Sequence, residues 1–124
     1  MGRIIRTLAA LALLKVVSGH ASEARWDGAD FALGASALTL LAVDWGQTRH
    51  IAKNPDRFYE KNGLLGRHPS VDRVDAYFVG SMITTVLVAD LLVGPWRKAF
   101  LAGIIVMEYD VVTRNRAIGI RVGF

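Results

Sequence analysis

The chain has 124 residues, enough for one domain and too few for two independent cores. It is 52% hydrophobic, with a formal net charge of +4 and a mean hydropathy of +0.33; a soluble domain this small normally carries more polar surface. Cysteine is absent, which excludes a disulfide framework, a thiolate zinc site and a cysteine nucleophile, and the basic residues sit in links between apolar runs rather than on one aromatic-laced face, which excludes nucleic acid as a partner.

The first apolar run, Thr7 to Val17, follows a basic start containing Arg3 and Arg6. A positive start, a short apolar run and small residues at Gly19 and Ala21 have the order of a secretory signal, whose cleavage point would follow Ala21. The same residues fit an uncleaved anchor in which Lys15 snorkels its ammonium to an interface. Residues 1–21 are therefore a signal peptide or a signal anchor, and residues 22–124 the domain proper.

An acidic link from Glu23 to Asp30 leads into Phe31 to Val43, rich in the small residues Gly34, Ala35, Ser36 and Ala37 that let helix backbones approach closely in lipid. This run reaches spanning length only as a helix over about 26–48, with Trp26 and Trp45 near the two interfaces. Arg49 to Asp75 is a polar loop containing Pro55 and Pro69 and the cations Arg49, Lys53, Arg57, Lys61, Arg67 and Arg73, so it is expected to face the cytoplasm. A span over about 76–93 ends at Gly94-Pro95, and another over about 97–113 ends in Arg114-Asn115-Arg116, which places the C-terminus in the cytoplasm. Arg97 and Lys98 then lie outside, against the positive-inside pattern.

The expected fold is all-α: a small polytopic membrane bundle of three or four short transmembrane helices, in the bacterial inner membrane. The alternation Ile118, Ile120, Val122, Phe124 resembles the last strand of an outer-membrane barrel, but continuous apolar runs elsewhere exclude a barrel. The tail is expected to be an extended or helical amphipathic segment.

The candidate site residues are polar groups at the helix ends. Asp44, Gln47 and Thr48 share one helical face, and Glu108 and Asn115 lie seven apart on another. Ionisable groups in a span turn inward and find partners. These five residues, together with Glu60, Asn62 and His68 of the loop, are expected to gather in one polar pocket at the cytoplasmic side. Such a pocket holds a substrate, proton or metal, or it is a hydrogen-bond network that fixes helix register, the commoner role in membrane bundles. Asp44, Glu60, His68, Glu108 and His50 are oxygen and nitrogen donors, but no closely spaced ligand pair is present, so no metal and no cofactor is expected. Nucleophile elbows and phosphate-binding loops are also absent, and Gly63-Leu64-Leu65-Gly66 reads as a turn.

Asp44-Trp45-Gly46-Gln47-Thr48, Tyr59-Glu60-Lys61-Asn62 and Leu65-Gly66-Arg67-His68-Pro69-Ser70, with Val74, Tyr77-Phe78, Glu108, Asn115 and the Gly119 to Phe124 tail, resemble a family of small membrane proteins of proteobacteria and their phages that has no assigned activity. The resemblance, from Trp26 to the end, implies the same architecture and singles out the motif residues. It implies no reaction. The expected role is that of a structural or interaction membrane protein whose partners are the bilayer and a second copy or another membrane protein. The alternatives are a holin-like lysis accessory, self-associating through Gly34 to Ala37, and a small intramembrane enzyme or transporter using the Asp and Glu cluster.

Overall fold

The computed structural model describes residues 25–124, and the expected signal or anchor at 1–21 lies outside them. Three helices follow in chain order: α1, Gly28–Lys53; α2, Val71–Leu91; and α3, Pro95–Ala117. The described residues contain no strand, so the all-α expectation holds.

Local chemistry sets each boundary. Asp27 caps α1 by accepting from the Asp30 backbone N–H at 2.8 Å, and Asp30 reaches back to the Asp27 N–H at 3.0 Å, a reciprocal pair that satisfies two otherwise open donors. The span expected over 26–48 continues as helix to Lys53 and stops at Asn54, because the residue before Pro55 is driven away from helical backbone angles. Ser70 caps α2 through the Arg73 N–H, which starts that helix five residues before the expected position 76. Gly94 adopts φ +51°, a turn conformation available to glycine, and Pro95 then opens α3 with a ready-made helical φ. The short turn lays α3 antiparallel to α2. Since Asp30 meets Arg97 at one end and Gln47 meets Val112 at the other, α1 and α3 run parallel.

Two apolar clusters hold the helices. Leu41, Leu65, Val74 and Phe78 join α1, the loop and α2, with Leu65 only 2% exposed although it lies in a glycine-punctuated turn. Ala37, Ala89 and Leu101 form the second cluster, where the two alanines are fully buried. Gly34 packs beneath Trp26. Gly34 and Ala37 of the small-residue stripe are thus used inside the bundle, and Ala35 and Ser36 are exposed. Most of the contact made by α3 is with α1, and it meets α2 over far less of its length.

Only α2, among the described helices, is long and apolar enough to cross a membrane, with mean hydropathy 1.5 over its best 18 residues. The expectation of three such spans is not met by length and composition, because α1 carries Asp30, Asp44 and Arg49 and α3 carries Arg97, Lys98, Glu108 and Asp110.

The end of α1 is tied to the start of α2. Asp75 takes the Arg49 guanidinium and, at 2.8 Å, the Trp45 indole N–H. Replacing Asp75 by alanine removes both acceptors and is expected to lower the thermal midpoint by several degrees. Asparagine, which still accepts from Trp45, is expected to lower it less. Equal effects of the two substitutions would show that the indole bond contributes nothing.

The tail, 118–124, is neither strand nor helix. It turns at Gly119 (φ +89°) and runs back along α1: Ile120 is buried, the Arg121 N–H meets His50 Nδ1 at 3.4 Å, and the Gly123 N–H donates to the Gly46 carbonyl at 2.9 Å. Phe124 ends edge-on against Trp45, ring centroids 5.3 Å apart.

Candidate functional site

At the end of the bundle where α1 nears its C-terminus, the one-face spacing of Asp44, Gln47 and Thr48 turns all three toward α3. Gln47, 3% exposed, donates to the Val112 carbonyl at 3.2 Å and accepts from Asn115 Nδ2 at 3.1 Å. The same Asn115 nitrogen lies 3.5 Å from Asp44 Oδ1, and the Thr48 hydroxyl approaches that oxygen at 3.4 Å. Gln47 therefore holds Asn115 in place, and Asn115 and Thr48 aim their donors at Asp44. One turn before Val112, Glu108 also turns into the bundle interior. Glu108 is 6% exposed, and its Oε2 is buried without a hydrogen-bond partner.

The loop closes over this end. Glu60 donates its backbone N–H to the Arg67 carbonyl at 2.8 Å, while its Oε1 accepts the N–H groups of Lys61 and Asn62, both at 2.8 Å. Asn62 in turn accepts from the Leu64 N–H at 2.9 Å, and Arg67 lies over the Tyr59 ring, 4.5 Å from its centroid. Leu65 anchors the turn in the core.

Because α2 and α3 diverge after their short turn, a cleft of about 1130 Å³ opens between them with α1 as its floor. Asp44, Thr48, Glu60, Asn62, Glu108 and Asn115 all line it, so six of the eight candidate residues share one cavity. Gln47 stands behind Asn115 as its support. His68 is exposed on the loop and is not part of the lining; the Pro69 that follows it is the buried member of that pair. His50 faces the tail and the Phe58 ring. The remaining walls are largely apolar and aromatic, with Tyr59, Tyr77, Phe78, Phe100 and Met107 among them. Among the described residues no group of three or more His, Asp or Glu side chains is placed to hold a metal ion. A large apolar cleft with a few convergent polar groups at one end is the usual form of a small-molecule site.

The opposite end of the bundle carries a second polar cluster. Arg97, fully buried, donates to Asp30 at 3.0 Å, to the Ala89 carbonyl at 2.8 Å and to the Arg25 carbonyl at 3.2 Å, with the Trp26 ring 5.1 Å away. Lys98 bridges Asp27 and Asp30, and the Trp26 indole donates to Asp90 at 3.0 Å. Reading the sequence in segments missed this network, since Asp27 and Asp30 looked like an acidic link and Arg97 and Lys98 like a basic one. The available signal was their charge complementarity at the N-terminal ends of two helices that run parallel. No family model, no curated protein and no solved structure matches the chain.

Proposed function

We propose that this is a small multi-pass protein of the bacterial inner membrane whose working part is the carboxyl-floored cleft on its cytoplasmic side, serving as a binding site. The observation that supports it most is the exposure of α2: its most apolar 18 residues are only 22% buried, with Val79, Ile83, Val86 and Leu87 turned outward. A core helix of a soluble protein would bury that face, and lipid is the solvent that suits it. The charges that lower the hydropathy of α1 and α3 do not argue against spanning. Asp30, Arg97 and Glu108 are turned inward, and a hydropathy average charges each helix for groups that lipid would not meet. On α3 the outward face carries Val106, and Asp110 is paired with Arg114 one turn on.

The same pairing accounts for the cations in the external link. Arg97 and Lys98 are committed to Asp30 and Asp27, so they add little free positive charge to that side. The Arg49 to Asp75 loop keeps its positive bias and its cytoplasmic placement.

Because the chain has no native cysteine, single cysteines report topology cleanly. The protein is expected to stay with the membrane through alkaline carbonate extraction. Gly63→Cys, where a side chain has open space, should react with an impermeant maleimide only after permeabilisation, and Trp96→Cys, exposed at the other end, in intact cells. Release by carbonate would overturn the membrane reading, and the reverse labelling would overturn its orientation.

A further inference from the structure

The floor of the cleft presents an unusual charge pattern. Asp44, Glu60 and Glu108 all line it, and those three are carboxylic acids. Neutral side chains supply the remaining contacts: Thr48 and Asn115 to Asp44, and Gln47 to Asn115. The two cations of the lining, Lys61 and Arg114, are exposed at the rim, and Arg114 is engaged by Asp110. Glu108 Oε2 is a second and separate observation: an acceptor on a residue 94% buried, facing the cavity, with nothing donating to it. Carboxyls gathered at one end of a cleft favour a positive charge or a proton beside them, and a buried acceptor calls for a donor. An ammonium group supplies both.

The shape and walls narrow the class. Ca²⁺ and Mg²⁺ seek six or more ligands, mostly oxygens, and Zn²⁺ four, and among the described residues no group of three or more His, Asp or Glu side chains is arranged to hold a metal ion. The space is also far larger than one ion requires, at about 1130 Å³, and aromatic and aliphatic side chains line most of it. Tyr59, Tyr77, Phe78 and Phe100 offer ring faces and edges to a hydrophobic body. Thus one end of the cleft suits a cationic head and the rest an apolar tail.

We propose that the cleft between α2 and α3 binds an organic ammonium compound with a hydrophobic body, its N–H groups donating to Glu108 Oε2 and Asp44. This deepens the proposed binding role by naming its ligand class, and it does not depend on how the protein sits in the membrane.

The test uses the full chain purified in a nonionic, amine-free detergent and titrated calorimetrically with 4-phenylbutylamine, 4-phenylbutanol and 4-phenylbutyrate. The three share a body and differ in the head. The amine is expected to bind at least tenfold tighter than the alcohol, and the carboxylate more weakly than either. Glu108→Gln should remove most of that preference by lowering the affinity for the amine toward that for the alcohol. Equal affinity for amine and alcohol in the wild-type protein, which needs no variant to fold, overturns the proposal. So does an unchanged amine preference in Glu108→Gln. Competition by added phosphatidylethanolamine would keep the proposal and name a lipid headgroup as the ammonium, and lack of competition would keep it and name a free amine. Carbonate extraction separates this outcome from the membrane reading: a protein released by carbonate that still prefers the amine would retain the site and lose only the location.

Discussion

Replacing Asp30 by alanine is expected to cost about 3–5 kcal/mol of folding free energy, the range for removing one partner of a buried ion pair. Asp30 is 1% exposed and faces the fully buried guanidinium of Arg97. With the carboxylate gone, Arg97 keeps the Ala89 and Arg25 carbonyls but loses the buried carboxylate that faces it. The same substitution removes the reciprocal cap of α1, because Asp30 also accepts the Asp27 N–H. Lys98 is different. Its ammonium is partly exposed and rehydrates when a partner is lost, so Lys98→Ala should move the unfolding midpoint much less. Denaturant unfolding in detergent, followed by helical circular dichroism, measures both losses. The double variant Asp30→Leu with Arg97→Met should be more stable than Asp30→Ala alone, since it removes the buried guanidinium together with the carboxylate that faces it. An Asp30→Ala loss no greater than that of Lys98→Ala would show that the pair is not desolvated.

The two polar clusters differ in how they could be read from the sequence. Asp44, Gln47 and Thr48 lie within one turn of each other, and helical periodicity alone puts them on one face. Their meeting with Glu108 and Asn115 followed from the alternating direction of successive spans, which put the later half of both helices at one end. The Asp30–Arg97 pair is 67 residues apart and joins two helix beginnings. The same alternation brings those beginnings together, but a segmental reading assigned each charge to its own link. His68 was grouped with the cluster because its loop neighbours Glu60 and Asn62 belong there. Side-chain direction within a loop has no periodicity from which to read it, and the bend at Gly66 (φ +81°) leaves His68 facing solvent. Helix ends were misplaced by two to five residues for a related reason: apolar runs mark what is buried or lipid-facing, whereas caps such as Ser70 and stops such as Asn54-Pro55 mark where the helix ends.

The alternating tail shows most clearly how a local pattern depends on its partner. Ile120 points into the bundle, while Val122 and Phe124 close over Gly46, the one position of the Asp44 to Thr48 motif without a side chain. A Cβ at position 46 would collide with Val122 Cγ1 and come within 2.9 Å of Phe124 Cε2. The tail cannot ease away cheaply, because the Gly123 N–H is bonded to the Gly46 carbonyl and the Gly123 carbonyl accepts the Lys53 ammonium. Gly46→Ala is therefore expected to destabilise the protein by about 1–3 kcal/mol, the usual range for overpacking a tight contact. In a Val122→Ala, Phe124→Ala background the clashing atoms are gone. There the substitution meets only the helix, where alanine is favoured over glycine by roughly 0.5–1 kcal/mol, and it should stabilise. The sign of one substitution thus reverses with the state of residues 76 and 78 positions away in the chain. Thermal unfolding of the four proteins of this cycle measures the coupling directly. A destabilisation of equal size in both backgrounds would place the requirement for glycine within α1 itself and release the tail from any part in holding the end of the bundle where the carboxyls gather.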